Sequence, residues 1–215
     1  MKRLAIVGLA ALLTAPLLAQ HQADPDKNVA GGGTLPSGWK GRLDSAAASM
    51  AGVKAMQMGG GVHFTTGPAG IYYKPADKAT GTYDAHATFT QLGPAAHPEA
   101  YGLFIGGSDL EGAGQKYTYF LVRQDGKFMI KRRAGAATPT VTDWTDHAAI
   151  KKADASGRMT NILAIDVGKD KVRFLVNGTE VSAADAAQVD TAGIAGLRIN
   201  HNLNVHVEGF SVRTR

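Results

Sequence analysis

Polar residues near the C-terminus have types and a spacing that could support acid–base chemistry. Asn204, His206, Glu208 and Phe210 alternate along a strand-like segment, so their side chains project from one face. A histidine beside a carboxylate can act as a general base, because the carboxylate raises the histidine pKa. His206 and Glu208 are therefore candidate catalytic residues. The alternative is a pair that only satisfies its own hydrogen bonds on an outer sheet face.

A second polar group, Asn200-His201-Asn202, lies just before this segment. Loops at the ends of strands commonly contain functional residues, which makes Asn200 and Asn202 candidate ligand contacts and His201 a third catalytic candidate. The alternative is a turn in which the asparagine side chains bond to their own backbone.

Tyrosines on predicted strands suggest a different chemistry, the binding of sugars. Aromatic rings stack on the apolar faces of sugars, while arginine and asparagine hydrogen-bond the hydroxyls. If Asp125-Gly126 forms a two-residue hairpin, Tyr119 lies across from Arg132. The predicted ligand-binding residues are Tyr101, Tyr117, Tyr119, Arg132 and Trp144, the last on a surface loop. The alternative for the tyrosines is simple sheet packing, since tyrosine is a good strand former.

The basic run Lys131-Arg132-Arg133 ends one of these strands. Charges at such a position usually protect a sheet edge from aggregation, and a second interpretation is recognition of an acidic glycan. Asp109 and Glu111, in GGSDLEGAG, form the best local pair of hard oxygen ligands, so calcium is a possible cofactor. No zinc-binding spacing is present.

Composition limits the remaining classes of function. The chain of 215 residues has no cysteine, which excludes disulfides, thiol nucleophiles and cysteine–zinc sites. Met1-Lys2-Arg3 and the apolar run Leu4–Ala19 predict a signal peptide over residues 1–19, although an uncleaved anchor is an alternative. Cleavage would leave a mature charge of about +3, too small to indicate nucleic-acid binding. We expect an exported, periplasmic or extracellular protein that has no membrane segment after cleavage.

The candidate functional side chains named above lie on or beside short apolar runs that are separated by turn residues. Residues 20–38 are rich in Gly, Pro and Asp and predict a flexible leader, and residues 39–215 predict one domain. Hairpins are predicted around Gln124-Asp125-Gly126, Gly168-Lys169-Asp170 and Asn177-Gly178. Further strands are predicted at Gly61–Thr65, Gly70–Lys74, Thr82–Gln91, Ala100–Gly106, Ile194–Asn200 and Asn204–Arg213. About a dozen short strands predict an all-β fold, an antiparallel sandwich or jelly roll.

Two segments are harder to assign from the sequence. Ser45–Met58 is rich in alanine and methionine; we expect a loop followed by a strand near Val53–Met58. Ser182–Gln188 is predicted to form one or two helical turns capped by Ser182.

The segments HFTTGPAGIYYKP from His63, YGLFIGGSDLEG from Tyr101 and YTYFLVRQDGKFMIKRR from Tyr117 resemble the concanavalin A-like lectin/glucanase superfamily. More narrowly, with FLVNGTEV and GLRINHNLNVHVEGFSV, they resemble bacterial 3-keto-disaccharide hydrolase-like domains, long catalogued as a domain of unknown function. The resemblance covers most of Trp39–Arg215. It implies two packed sheets, with the last two strands in different sheets and a concave face that often binds glycans.

The glucanases of this superfamily place their acids in a Glu-x-Asp-x-x-Glu order, because two carboxyls must flank the glycosidic bond. This chain has four glutamates, and none has partners at that spacing. Carbohydrate binding on a concave sheet face is therefore the first hypothesis. Hydrolysis of glycosides, of the 3-keto-disaccharide type implied by the resemblance, is the second, and a structural or interaction domain is the third. The sequence leaves open whether the protein is an enzyme, and it does not indicate an oligomeric state.

Overall fold

The computed structural model describes residues 24–215. The predicted signal peptide lies outside the described residues. Across residues 24–215, no helix has the length and apolar character needed to cross a bilayer. The described part of the leader contacts the domain: the Lys27 backbone N donates to the Asn202 side-chain oxygen at 2.7 Å, and Gly33 N donates to the Val53 carbonyl at 2.9 Å.

Fourteen strands and two short 3-10 turns make up the described chain. The first seven strands are β1 Lys40–Leu43, β2 Val53–Met58, β3 Gly61–Thr66, β4 Gly70–Ala79, β5 Tyr83–Leu92, β6 Ala100–Ser108 and β7 Lys116–Arg123. The others are β8 Lys127–Ala134, β9 Thr140–Asp146, β10 Arg158–Val167, β11 Lys171–Val176, β12 Thr179–Asp185, β13 Gly193–Ile199 and β14 Asn204–Thr214. The 3-10 turns are Met50–Gly52 and Ala186–Gln188.

The strands form two antiparallel seven-stranded sheets. Sheet A has the order β1-β4-β13-β6-β7-β8-β9, and sheet B has the order β12-β11-β10-β5-β14-β3-β2. The last two strands lie in different sheets, β13 between β4 and β6, and β14 between β5 and β3. The predicted all-β antiparallel sandwich is confirmed.

The main core lies between the sheets, because both contribute alternate apolar residues to it. Phe64, Phe89 and Phe174 enter it from sheet B, while Tyr101 and Phe120 enter it from sheet A, and all five are fully buried. A second apolar cluster contains residues of sheet A and Leu110 from the loop after β6, and none of its residues belongs to sheet B. It therefore belongs to the outer face of that sheet.

The local predictions were mostly confirmed. Val53–Met58 is a strand, and Asn177-Gly178 forms a turn in which both residues have positive φ, as a type I′ hairpin requires. Ser182 was wrongly predicted to cap a helix: it lies inside β12 and pairs with Phe174, and the 3-10 turn begins only at Ala186. Trp144 was wrongly placed on a loop, because it lies in the edge strand β9.

Candidate functional site

The outer face of sheet A is the most distinctive surface of the described chain. Alternation along β4, β6, β7 and β8 sends every second side chain to this face, and most of these are buried aromatic or apolar groups. We call it the tyrosine face and define it by Ile71, Tyr73, Phe104, Tyr117, Tyr119, Leu121, Met129 and Trp144, with the charged residues Arg42, Asp44, Lys131, Arg133 and Arg198 around them. The rings of Tyr117 and Tyr119 lie 5.7 Å apart, and Phe104 lies 5.2 Å from Tyr117.

The hairpin between β7 and β8 decides which basic residues reach this face. Tyr119 pairs with Lys131 and Tyr117 pairs with Arg133, so the predicted pairing of Tyr119 with Arg132 is wrong. The loop has three residues, Gln124-Asp125-Gly126, rather than two, and Gly126 takes a φ of 89°. Gly126 N donates to the Arg123 carbonyl at 3.0 Å, and the third loop residue shifts the register by one.

Arg132 therefore points to the opposite side of sheet A. Its guanidinium donates to both carboxylate oxygens of Asp190, at 3.0 and 3.2 Å. The structure corrects the prediction that Arg132 contacts a ligand together with the tyrosines. Lys131 and Arg133 occupy the position beside the tyrosines that was predicted for Arg132.

A buried ion pair lies on the tyrosine face. Arg198 donates to both Asp44 oxygens in a fork, Nη1–Oδ1 at 2.8 Å and Nη2–Oδ2 at 2.5 Å. The same guanidinium lies 5.0 Å from the ring centroid of Tyr119, within the range of a cation–π contact. The side chain of Arg198 is 10% exposed and that of Asp44 is 35% exposed. The ion pair thus forms a polar patch that lies against the ring of Tyr119.

The pKa shifts around this pair have clear causes. Burial alone would raise the pKa of Asp44, but the hydrogen bonds and charge of Arg198, with smaller contributions from Arg133 and Arg42, lower it below its usual value. Burial raises the pKa of Tyr117 and of Tyr119, against the opposing charge of Arg198. At neutral pH Asp44 is an anion and both tyrosines are protonated, so none of the three is ready to exchange a proton.

Two further arginines border the pair. Arg42 Nη1 donates to the carbonyls of Leu110 and Gly112, at 3.1 and 2.7 Å. Arg133 is half-buried, and its Nε is a buried donor without a hydrogen-bond partner among the described residues. The positive charge of Arg133 acts to lower the pKa of Asp44, Tyr117 and Tyr119.

Trp144 does lie on this face, next to the cluster that contains Leu121 and Met129. The guanidinium of Arg123 sits 4.4 Å from the centroid of its ring. Tyr101, by contrast, is fully buried between the sheets, where its ring stacks on Phe89 at 5.1 Å. The structure corrects the prediction for Tyr101, because a ring in the core does not reach a ligand on an outer face.

The candidate catalytic pair lies on the other sheet. His206 and Glu208 project from the outer face of sheet B, with His206 Nε2 3.7 Å from the nearer Glu208 oxygen. The His206 ring stacks on that of His63, with centroids 6.0 Å apart, and its Nδ1 is buried without a partner. Burial and the charge of His206 lower the pKa of His63. The structure therefore does not bring this pair together with the tyrosines.

The Asn200-His201-Asn202 group anchors other parts of the chain. Asn202 takes a φ of 56° and is buried, and its side chain binds the backbone of Pro25 and Lys27. His201 Nε2 lies 2.7 Å from a Glu99 oxygen, and the Asn200 amide donates to the other Glu99 oxygen at 3.2 Å. The side chains of this group thus bind distant parts of the chain, rather than their own backbone as the turn alternative required.

Asp109 and Glu111 bind separate partners. Asp109 has a φ of 47° and accepts from Gly114 N at 3.0 Å, which closes its own loop. Glu111 binds Lys40 Nζ at 2.6 Å and lies 3.5 Å from the Tyr73 hydroxyl. Among residues 24–215, no group of three or more His, Asp or Glu side chains is arranged to hold a metal ion. One oxygen of each predicted calcium ligand, Asp109 Oδ2 and Glu111 Oε1, thus binds a protein group.

The residues that the sequence did not single out are Arg42, Asp44 and Arg198, whereas Arg133 was noted as part of the basic run Lys131-Arg132-Arg133. A usable signal existed for Arg198, a charged residue between Leu197 and Ile199 in a strand that is otherwise apolar. For Asp44 there was no such signal, because it lies just beyond β1, and that short strand was not predicted.

Comparisons with known proteins support the fold. No protein-family profile and no curated protein matches the chain. Among solved structures, the carbohydrate-binding module CBM66 from Bacillus subtilis matches with a TM-score of 0.59 and 11% identity, over 84% of this chain and 99% of that one. Alginate lyase A1-II′ matches at 0.55 and 14%, over 82% and 94%. A Bacillus subtilis protein of unknown function with a galectin-like fold matches at 0.52 and 12%, over 81% and 88%.

At these identities the likeness shows the fold alone. The chain therefore has a two-sheet jelly-roll sandwich, and the concanavalin A-like superfamily stays a prediction. The narrower resemblance to 3-keto-disaccharide hydrolase-like domains stays a prediction.

Proposed function

We propose that this protein is an exported carbohydrate-binding protein and that the tyrosine face of sheet A is its binding surface. The observation that supports this most is the bidentate ion pair of Asp44 and Arg198. Its guanidinium lies against the ring of Tyr119, beside Tyr117. The solved structures of like fold include one named as a carbohydrate-binding module and one named as a lyase of alginate, a polysaccharide. Export rests on the predicted signal peptide.

The tyrosine face has the chemistry that sugars need. Sugar hydroxyls both donate and accept hydrogen bonds, and a carboxylate beside guanidinium groups and phenols offers both kinds of partner. Because the Arg198 fork and the buried rings are already fixed in place, little side-chain entropy is lost when a ligand binds. The half-buried Trp144 adds an aromatic surface at one side of the face.

The protonation states on this face favour binding over turnover. General acid–base catalysis works best when the pKa of the catalytic group lies near the operating pH. The pKa of Asp44 is lowered from an already acidic value, and those of Tyr117 and Tyr119 are raised from already basic values. The groups at the centre of the proposed site therefore hold their protons or their charge rather than exchange them.

Hydrolysis of 3-keto-disaccharide-type glycosides is the less supported proposal. Its candidate groups are separated, since His206 and Glu208 lie on the outer face of sheet B and His201 binds Glu99 in the loop after β13. The retaining and inverting geometries both need two carboxyls that face one bond. Product release from any glycoside by the wild-type protein, lost in Glu208→Gln, would restore this hypothesis.

A glycan-array screen followed by calorimetry with the purified protein tests the proposed function. We expect binding to at least one glycan. The double variant Tyr117→Phe/Tyr119→Phe should bind that glycan about tenfold more weakly, because two phenol hydroxyls are removed while the buried rings remain. Tyr101→Phe is the matched control, since it removes a hydroxyl buried between the sheets.

Two results would contradict the proposal. One is the absence of binding to every glycan of the array. The other is equal affinity of the wild type and the Tyr117→Phe/Tyr119→Phe variant, which would move the site away from the tyrosine face.

A further inference from the structure

The tyrosine face has more positive than negative charge at its centre. Arg42, Arg133 and Arg198 surround a single carboxylate, that of Asp44, and the charges of all three lower its pKa. Asp44 offsets the charge of Arg198 and binds both of its Nη atoms, although Arg198 Nε is buried without a partner among the described residues. Arg42 binds two backbone carbonyls, which are neutral acceptors. This leaves an excess of two positive charges on a partly buried surface. Lys131, which lies opposite Tyr119 in the β7–β8 ladder, adds a third.

Arg133 is the arginine of this group that has the fewest partners. It pairs with Tyr117 in the ladder of β7 and β8, so its side chain lies on the tyrosine face. Within residues 24–215 it forms neither an ion pair nor a side-chain hydrogen bond, and its Nε is shielded from solvent. A buried donor without an acceptor is destabilising, and more so when the group is charged. An unsatisfied guanidinium next to a candidate site is the feature that an anionic ligand would complete.

The chemistry of the guanidinium group specifies which sugar fits. Sugar hydroxyls satisfy donors but add no negative charge, so a neutral glycan leaves the excess uncompensated. A carboxylate matches the planar fork of arginine with two parallel hydrogen bonds, as Asp44 already does for Arg198. Resting on the function proposed above, we propose that the ligand is an acidic sugar of the uronic acid type, and that its carboxylate binds Arg133.

The position of Asp44 gives this ligand an orientation. Its anionic carboxylate repels a second carboxylate but accepts hydrogen bonds from sugar hydroxyls. The sugar carboxylate therefore lies on the Arg133 and Lys131 side of the face, and the ring hydroxyls lie toward Asp44 and Arg198. Asp44 is a positioning residue for Arg198 in this arrangement, and Arg133 is the anchor for the charge of the ligand.

Calorimetry with three probes of equal length tests the inference: oligogalacturonate, the same oligomer with its carboxyls methyl-esterified, and neutral cellotetraose. We expect oligogalacturonate to bind, with an affinity that falls as salt is added, and the ester and the neutral sugar to bind at least tenfold more weakly. Arg133→Gln should weaken oligogalacturonate binding about ten- to hundredfold, and Arg133→Lys should restore part of that loss.

Arg173→Gln is the charge control, because Arg173 is exposed on sheet B and, within residues 24–215, forms an ion pair with Glu180 alone. It should bind oligogalacturonate as the wild type does. Unfolding midpoints of the Arg133 variants must match the wild type, so that a folding defect is not read as a binding defect.

The outcomes separate the two proposals. Equal affinity for the ester and the acid, or unchanged affinity in Arg133→Gln, overturns the acidic-sugar inference and leaves carbohydrate binding intact. Binding of neutral glycans alone would likewise overturn the acidic-sugar inference and leave carbohydrate binding intact. No binding of any glycan by the folded wild type overturns the proposed function itself.

Discussion

Asp44 sets the charge state of the tyrosine face. Its carboxylate is the acceptor for both arms of the Arg198 fork, and Arg198 is nearly buried. Removing one partner of such a pair leaves a charge in a poorly solvated position without compensation, which costs more than the pair contributes when intact. The residue therefore serves stability and site geometry together.

We expect Asp44→Asn to lower the free energy of unfolding by about 2 kcal/mol at neutral pH. This is below the 3–5 kcal/mol typical of fully buried pairs, because the Asp44 side chain is 35% exposed and partly screened by water. Urea unfolding measures the change. Asp185→Asn is the matched control: its pair with Lys171 is exposed on both sides, so the loss should be about 0.5 kcal/mol or less.

The same variant has a predicted pH dependence. Because the folded state lowers the pKa of Asp44, its stabilising effect is full above the ordinary value of 3.8 and is lost as the pH falls through the lowered folded pKa. The difference between wild type and Asp44→Asn should shrink on acidification below that value. A difference that stays constant down to pH 2 would contradict the assigned role of the ion pair.

Side-chain chemistry was only partly predictable from the sequence. Tyr117 and Tyr119 were identified, since tyrosines that alternate on a strand share a face whatever that strand pairs with. Arg198 and Asp44 are separated by 154 positions in the chain, so their contact follows from the strand order of sheet A and not from any local pattern. A candidate site that consists of such pairs needs the topology first.

Among the structural elements, the β7–β8 hairpin has the largest effect on the site. Its loop length decides whether Arg132 or the pair Lys131 and Arg133 faces the tyrosines, because a shift of one residue moves every side chain to the other face. The Asp-Gly sequence fits both a two-residue turn and a three-residue loop with a left-handed glycine. The hairpin was therefore predictable, but its register was not.

Two glycine variants test the turns of this sandwich. Gly126 and Gly178 have φ values of 89° and 81°, so alanine is strained at both, by about 1 kcal/mol. A Cβ at Gly178 meets nothing within 4 Å, whereas one at Gly126 would lie 2.6 Å from the Lys152 side chain. We expect Gly126→Ala to be the more destabilising in thermal or urea unfolding. Equal losses would show that the flexible Lys152 side chain moves aside without cost.

At the scale of the whole molecule, the main core of residues 24–215 is shared by both sheets. Core residues of sheet A contact those of sheet B, as Tyr101 does with Phe89 and Phe120 with Phe174. Neither sheet can lose its partner without exposing this apolar surface to water. The sandwich should therefore unfold as one cooperative unit.

The two tryptophans report on this cooperativity from different places. Trp39 packs against Phe64 and Phe210 of sheet B, and Trp144 lies on the tyrosine face. We expect the single-tryptophan variants Trp39→Phe and Trp144→Phe to show fluorescence transitions in urea that coincide with loss of the β-sheet circular dichroism signal. An earlier transition of Trp144 would instead show that the edge strand β9 opens separately.

The positions of β13 and β14 in the two sheets have a consequence for folding during synthesis. Without Gly193–Ile199, sheet A consists of two pieces, β1-β4 and β6-β7-β8-β9, and without Asn204–Thr214, sheet B is divided in the same way between β5 and β3. A ribosome delivers these two strands last among the fourteen. Neither sheet can therefore be completed before synthesis reaches residue 214. We expect the sandwich to close only after the whole domain has been translated, through contacts between residues far apart in the chain.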